Sequence, residues 1–255
     1  MIHPTAIVHP HAQLADDCDI GPYCVIGEHV VIGAGTRLHS HVVVDGHTRL
    51  GCGNEIFPFA SIGKQSQDLK WAGGITRTEI GDHNTIREYV TINAATSDGD
   101  ATVVGSHNHI LATCHIAHDC KLGNHIIMSN VASLSGHIVV EDHAVISGLV
   151  AVHQFNRIGT MSMIGGCSKV PQDVAPYMLV DGNPAETRTI NKVGLERNGV
   201  SAESQAALRQ AYKILFREGL TIPNALAQIE QELPALPEIA HLVRFVRESK
   251  RGITK

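Results

Sequence analysis

Aromatic residues are scarce, at 4% of 255 positions, and tryptophan occurs once. A platform for stacking bases needs several such rings, so the scarcity argues against single-stranded nucleic acid as a ligand. Basic charge is lacking too: 20 Lys and Arg face 25 Asp and Glu, for a net charge of −5. A nucleic-acid binder would show a basic stripe instead. No apolar run approaches the roughly 18 residues of a membrane span. The chain carries no P-loop and no Gly-x-Ser-x-Gly elbow. No nucleotide-binding strand-turn-helix precedes the repeats described below. Those repeats take in Met1-Ile2-His3-Pro4-Thr5, leaving no room for a signal peptide, so a cytoplasmic location is expected.

What the chain has is a period of six. Stepping from Ile2 to Val170 by sixes gives 29 positions, and 26 are aliphatic; only Asp68, Gly74 and Asp98 break the series. Such residues make up about a third of an ordinary sequence, so chance does not produce this phase. A six-residue period fits neither an α-helix nor an alternating strand, and it is the signature of a hexapeptide β-helix. One hexad per side makes a coil of 18 residues, and coils stack at about 4.8 Å. Gly often follows the aliphatic residue, as in Ile20-Gly21, Ile32-Gly33, Leu122-Gly123 and Ile158-Gly159. Gly reaches φ > 0 without steric cost, so these glycines are expected to turn the corners. Four places after the aliphatic residue stands a small one, such as Ala60, Cys114, Cys120, Ala132 or Ser162. Cys18, Cys24, Cys114 and Cys120 all fall there and read as core residues, not as a disulfide framework or zinc site. Cys52 and Cys167 are less determined.

Two polar, Gly-containing stretches leave the pattern, about 64–79 and 94–103. They read as loops thrown out from the coils. The lone Trp71 beside Lys70 favours a functional loop over a tolerated insertion. Residues 1–175 are thus the β-helix, and 176–255 a C-terminal segment with a helical domain. Ser201 or Asn198 caps a helix through Leu208, Tyr212 and Phe216, ended by Gly219. Thr221 starts a second, stopped by Pro234, and Pro237 opens a third. These helices are expected to cap the solenoid end.

The 17 His residues are too many for each to matter. Spacing singles out three. His118 lies two places after inward Ile116, near a corner. His137 and His153 follow by about one coil each, along the same edge. Asp119 could orient the His118 imidazole, although neighbours on a strand face opposite ways. An imidazole titrates near ~6.5, which suits a base at neutral pH. A decorative His column is the competing account. No two His are five apart, the spacing by which γ-type carbonic anhydrases on this fold bind metal. His115 and His118 are three apart, with no Cys or carboxylate pattern to complete a site. No metal and no cofactor are expected.

The segment His115-Ile116-Ala117-His118-Asp119-Cys120 resembles the acyl-[acyl-carrier-protein]–UDP-N-acetylglucosamine O-acyltransferases of lipid A biosynthesis. So do Ala151-Val152-His153-Gln154-Phe155, Gly165-Gly166-Cys167-Ser168 and Gly182-Asn183-Pro184-Ala185. Gln67-Asp68-Leu69-Lys70 and Gly194-Leu195-Glu196-Arg197 fit as well, so the resemblance covers essentially the whole chain. It implies a homotrimer of left-handed β-helices with active sites between subunits. It gives His118 the role of general base, Asp119 that of orienting it, and Gly136 an oxyanion-binding N–H. His115, His137, His153 and Gln154 would bind substrate; Asp68 and Lys70 would reach sugar or phosphate. Asn191 and Arg197 would grip the nucleotide. Gly148 would line the pantetheine path, and Gly166 would end the acyl groove and leave room for a longer chain. The acyl donor would be acyl carrier protein, and Arg244, Arg247, Lys250, Arg251 and Lys255 could dock it. The chain departs from the pattern at Asn198, Val193 and Pro184, all near the nucleotide. Four alternatives stay open: a 3-amino sugar acceptor, an N-acyltransferase, a coenzyme-A-dependent acetyltransferase and a non-enzymatic β-helix.

Overall fold

The computed structural model describes residues 1–255. Most hexads form a two-residue strand whose second residue is the aliphatic one, as in Val25–Ile26, Lys121–Leu122 and Val145–Ile146. The strands stack into three sheets, parallel throughout the repeats. Face 1 runs from Ile7–Val8 to Lys169–Val170, face 2 from Gln13–Leu14 to Arg157–Ile158, and face 3 begins at Asp19–Ile20. The chain visits them in that order on every coil, so the fold is a three-sided β-helix. Register confirms the coil length: Ile116 pairs with Leu134, Leu122 with Val140 and Met128 with Ile146, each 18 positions on.

The aliphatic positions fill the interior. Ile56, Ile86, Ile110, Ile116, Ile146 and Ile164 are fully buried. Cutting any of them to Ala would cost about 2–5 kcal/mol. The inward cysteines behave as core residues: the thiols of Cys114 and Cys120 donate to the carbonyls of Ser129 and Ser135. Burial pushes them up to about 11 and about 12, so neither supplies a thiolate at neutral pH.

The corners correct one expectation. At Gly21, Gly33, Gly123 and Gly159 the Gly after the aliphatic residue does not carry the positive φ. That conformation falls two places later, at His41 (φ 60°), Asp119 (62°) and His137 (60°). The glycine is needed for close approach instead. A Cβ on Gly33 would lie 2.7 Å from the carbonyl carbon of Gly51 on the next coil. At Gly159 it would lie 2.6 Å from the Cα of Pro176.

Both loops leave the same corner, the one joining face 1 to face 2. The first separates Ser61–Lys64 from Arg77–Ile80, and the second separates Thr91–Asn93 from Ala101–Val104. Ile80 therefore pairs with Leu50, 30 positions earlier, and with Val104, 24 later. Both spacings are multiples of six, which is why the hexad register survives.

The third face does not stop with the repeats. Met178–Gly182 adds in parallel beside Met163–Ile164, and Ala185–Ile190 turns back antiparallel. Four helices follow: α1 (Lys192–Arg197), α2 (Ala202–Phe216), α3 (Ile222–Glu232) and α4 (Pro237–Glu248). Ser201 caps α2 by accepting from the Ser204 N–H. The short α1 escapes the sequence reading because six residues carry no helical periodicity. Leu208, Leu215, Ile229, Leu242 and Val246 pack with Tyr177, Met178 and Ile190, so the helices cover the solenoid end through the hairpin. No helix is long and apolar enough to cross a membrane.

Candidate active site

His118 and Asp119 occupy the turn between strands His115–Ile116 and Lys121–Leu122, on the loop-bearing corner. Being in a turn, they escape strand alternation. The left-handed backbone at Asp119 swings its carboxylate under the imidazole. Asp119 Oδ2 lies 2.7 Å from His118 Nδ1. A carboxylate only accepts, so Nδ1 donates a ring proton, and in the neutral imidazole Nε2 keeps its lone pair. Asp119 has 8% of its side chain exposed and His118 has 12%. A charge-assisted bond gains strength in such a shielded place.

The second loop closes over the pair. The Thr96 N–H donates to both Asp119 oxygens at 3.3 Å, and Thr96 Oγ1 lies 3.0 Å from His118 Nδ1. Thr96 in turn meets Ser66 of the first loop at 2.7 Å. The Asp119 N–H donates to Thr102. Sequence reasoning missed Thr96 and Ser66, since nothing in either loop's composition marks one hydroxyl among several.

Around this pair the corner gathers most of the expected residues. Asp68 Oδ2 stands 4.0 Å from His118 Nε2. The Lys70 amide, with His118 nearby, holds the Asp68 carboxyl below its ordinary value. Lys70 itself is exposed. On the next coil, His137 places Nε2 3.6 Å from Asp119 Oδ2. Its ring stands edge-on to His118 and lies flat on Phe155, with centroids 4.6 Å apart. Gly136 lies against the His118 ring, where a Cβ would come within 2.6 Å of Nε2. The Gly136 N–H has no acceptor within the chain. His115 bonds Thr91 at 2.7 Å, and burial, then the neighbouring His118, pushes its pKa down. His153 and Gln154 are exposed one coil further on, where His153 Nδ1 lies 3.4 Å from the Arg251 guanidinium. A cleft lined by Arg77, Asp100, Asp119, Lys121 and His137 opens beside the pair. The expectation about metal, drawn from spacing along the chain, overlooked one juxtaposition. Asp68, His118 and His137 offer ligand atoms that all lie within 4.8 Å of one another.

Known proteins match both halves of this chain. A model of the second domain of UDP-N-acetylglucosamine O-acyltransferases matches residues 173–254, and a six-repeat bacterial transferase hexapeptide model matches residues 1–34. The LpxA structure from Acinetobacter baumannii is 47% identical over 100% of this chain and 99% of its own, with a TM-score of 0.97. The UDP-N-acetylglucosamine acyltransferase LpxA of Bacteroides fragilis is 40% identical over 100% of both chains, with a TM-score of 0.97. The Arabidopsis UDP-N-acetylglucosamine acyltransferase is 38% identical over 100% of both chains, at 0.89. The chain belongs to the UDP-N-acetylglucosamine acyltransferase family.

In this acyltransferase the remaining expected residues stand apart from His118. Gly148 and Gly166 lie on the corner joining face 3 to face 1. They stack on each other there: a Cβ on Gly166 would meet the Gly148 carbonyl oxygen at an ordinary 3.4 Å. Asn191 is buried, caps α1 by accepting from Gly194, and donates to the Met161 carbonyl at 2.8 Å. Arg197, Val193 and Asn198 are exposed on and just after α1. Of the basic residues in and after α4, Arg247 is paired with Glu230.

Proposed function

We propose that this chain transfers a 3-hydroxyacyl group from acyl carrier protein to the glucosamine 3-hydroxyl of UDP-N-acetylglucosamine, the opening step of lipid A biosynthesis. The observation that carries this reading is the 2.7 Å His118–Asp119 contact, which leaves Nε2 as a free proton acceptor. Nε2 takes the proton of the 3-hydroxyl as its oxygen attacks the thioester carbonyl carbon. The C–O bond forms, and the carbonyl electrons move onto oxygen. The unpaired Gly136 N–H is suited to receive that oxyanion. Collapse breaks the C–S bond, and the departing pantetheine sulfur recovers the proton from His118. No acyl-enzyme forms. Asp119 holds the tautomer and steadies the transient imidazolium without itself taking the proton.

A homotrimer fits the placement of the residues. In one chain His118 and the Gly148–Gly166 pair occupy different corners, so a groove using both needs a second copy alongside. The Gly148 corner also exposes an apolar column: Phe59, Tyr89, Val131 and Leu149. Such a column suits burial between copies. Sugar-nucleotide contacts would come from Asp68, Lys70, His137, His153, Gln154, Asn191 and Arg197. For Asn191 this means its backbone, or release of its cap on α1. Both substrates would be met in the cytoplasm.

The test mixes purified protein with UDP-N-acetylglucosamine and 3-hydroxyacyl carrier proteins of graded chain length, read by mass spectrometry. A 3-O-acylated sugar nucleotide is expected, with chains longer than ten carbons accepted because Gly166 fills no space. No product from any chain length, with the trimer intact, would overturn the reading. A preference for ten carbons or fewer would overturn the role of Gly166. Product only from the 3-amino analogue would replace the acceptor.

A further inference from the structure

We propose that Asp68, His118 and His137 form a binding site for a borderline divalent cation such as Zn²⁺, and that the metal silences the proton acceptor when bound. The three residues come from a loop and two successive coils, and their ligand atoms lie within 4.8 Å of one another. Two imidazoles and one carboxylate are a zinc-type donor set. Tetrahedral bonds of about 2.0–2.1 Å place ligands roughly 3.3 Å apart, which side-chain rotation can reach from this starting geometry. The outer shell is already built. Asp119 holds His118 Nδ1 at 2.7 Å, the carboxylate–histidine arrangement that fixes the ring and directs Nε2 to a metal. Asp68 and Asp119 together offset the charge of a divalent ion, against Arg77 and Lys121 in the adjoining cleft.

The chemistry makes the site inhibitory. Nε2 is the only lone pair His118 has to offer while Nδ1 donates to Asp119. A cation on Nε2 therefore excludes a proton from it. A second cluster, His9, His11 and Glu28, also brings three donors together, but its His11 and Glu28 side chains are 72% and 46% exposed. Its one carboxylate, Glu28, is 3.0 Å from His11 Nδ1 and is itself one of the three donors, so no further carboxylate backs the ring and the weaker site is expected there.

The binding half of this inference stands alone; the inhibition half rests on the proposed reaction. Zn²⁺ is titrated by calorimetry into metal-free full-length protein, alongside His137→Ala, Asp68→Asn and His11→Ala, each checked by thermal melting. One tighter site per chain is expected, lost in His137→Ala, weakened in Asp68→Asn and kept in His11→Ala. Binding unchanged by His137→Ala, or no binding in the wild type, overturns the site. In the acylation assay, Zn²⁺ at ten times its Kd should leave about a tenth of the activity, restored by EDTA. Full activity with the site occupied overturns the inhibitory role. Zinc binding in a protein that makes no acylated product would leave the site standing and remove the reaction.

Discussion

The corner joining faces 1 and 2 and the corner joining faces 2 and 3 both carry histidines, and only the first sets one against a shielded carboxylate. On the corner joining faces 2 and 3, His83, His107, His125 and His143 form a stacked ladder with centroids 4.8–5.2 Å apart. On the corner joining faces 1 and 2 stand His118 and His137. His125 and His137 have the same backbone, at φ 56° and 60°, and the same hexad position. Ring type and backbone therefore do not distinguish them. The neighbours do. His125 meets other imidazoles. His137 faces Asp119 Oδ2 at 3.6 Å, a carboxylate that is bonded to His118 and covered by Thr96 and Thr102. Beneath the ladder, Asn54, Asn84 and Asn108 bond from coil to coil inside the helix, Asn84 accepting from the Asn108 N–H at 2.9 Å. That corner is a structural seam, and the other is the candidate site.

The largest effect is expected from His118→Ala, which should lower turnover about 10²–10⁴-fold in the acylation assay with melting unchanged. His125→Ala should leave turnover alone. Comparable losses in both would erase the distinction between the corners. Gly136→Ala comes next. Its methyl displaces the His118 ring, and a misplacement of about 1 Å costs roughly 10²-fold in kcat. An active Gly136→Ala enzyme would show that the ring need not stay where it is.

The fold was legible because one constraint repeats. Each inward position from Ile20 to Val170 has the same neighbours above and below, so the requirement for a large aliphatic side chain recurs every six residues. The glycine role was misread because φ and close approach both select Gly, and only the structure separates them. At the candidate site, the places of His118 and His137 were legible relative to Ile116 and Leu134, whereas strand alternation would have turned Asp119 away and only the turn brings it under the ring. Thr96 and Ser66 were not, because loop residues reach the pair through space without any period. The same blindness hid the meeting of Asp68 with two imidazoles. The separation of Gly148 and Gly166 from His118 follows from counting hexads to the corner, which spacing between motifs alone does not reveal.

Thr96→Val tests the shielding. It removes the hydroxyl beside His118 Nδ1 and keeps the backbone donor to Asp119. A loss of about 1.4 kcal/mol, or tenfold in kcat, is expected. Unchanged kcat would make the second loop a bystander. The smallest effect concerns pH. His115 is held below its ordinary value, so the folded state binds fewer protons there than the unfolded chain. Its contribution to stability is complete above about pH 6.5 and is lost as the pH falls through the lowered folded value. The melting temperature should therefore drop less between pH 7 and pH 5 in His115→Gln than in the wild type. An equal drop would assign the acid sensitivity elsewhere.

The tautomer of His118 carries the mechanism, and ¹⁵N NMR of histidine-labelled protein reads it directly. The His118 signals are assigned by their loss in His118→Ala, with His125 as the reference from the other corner. In the neutral imidazole the proton is expected on Nδ1 of His118, donated to Asp119, with Nε2 bare. A proton resident on Nε2, with Nδ1 bare, would contradict it.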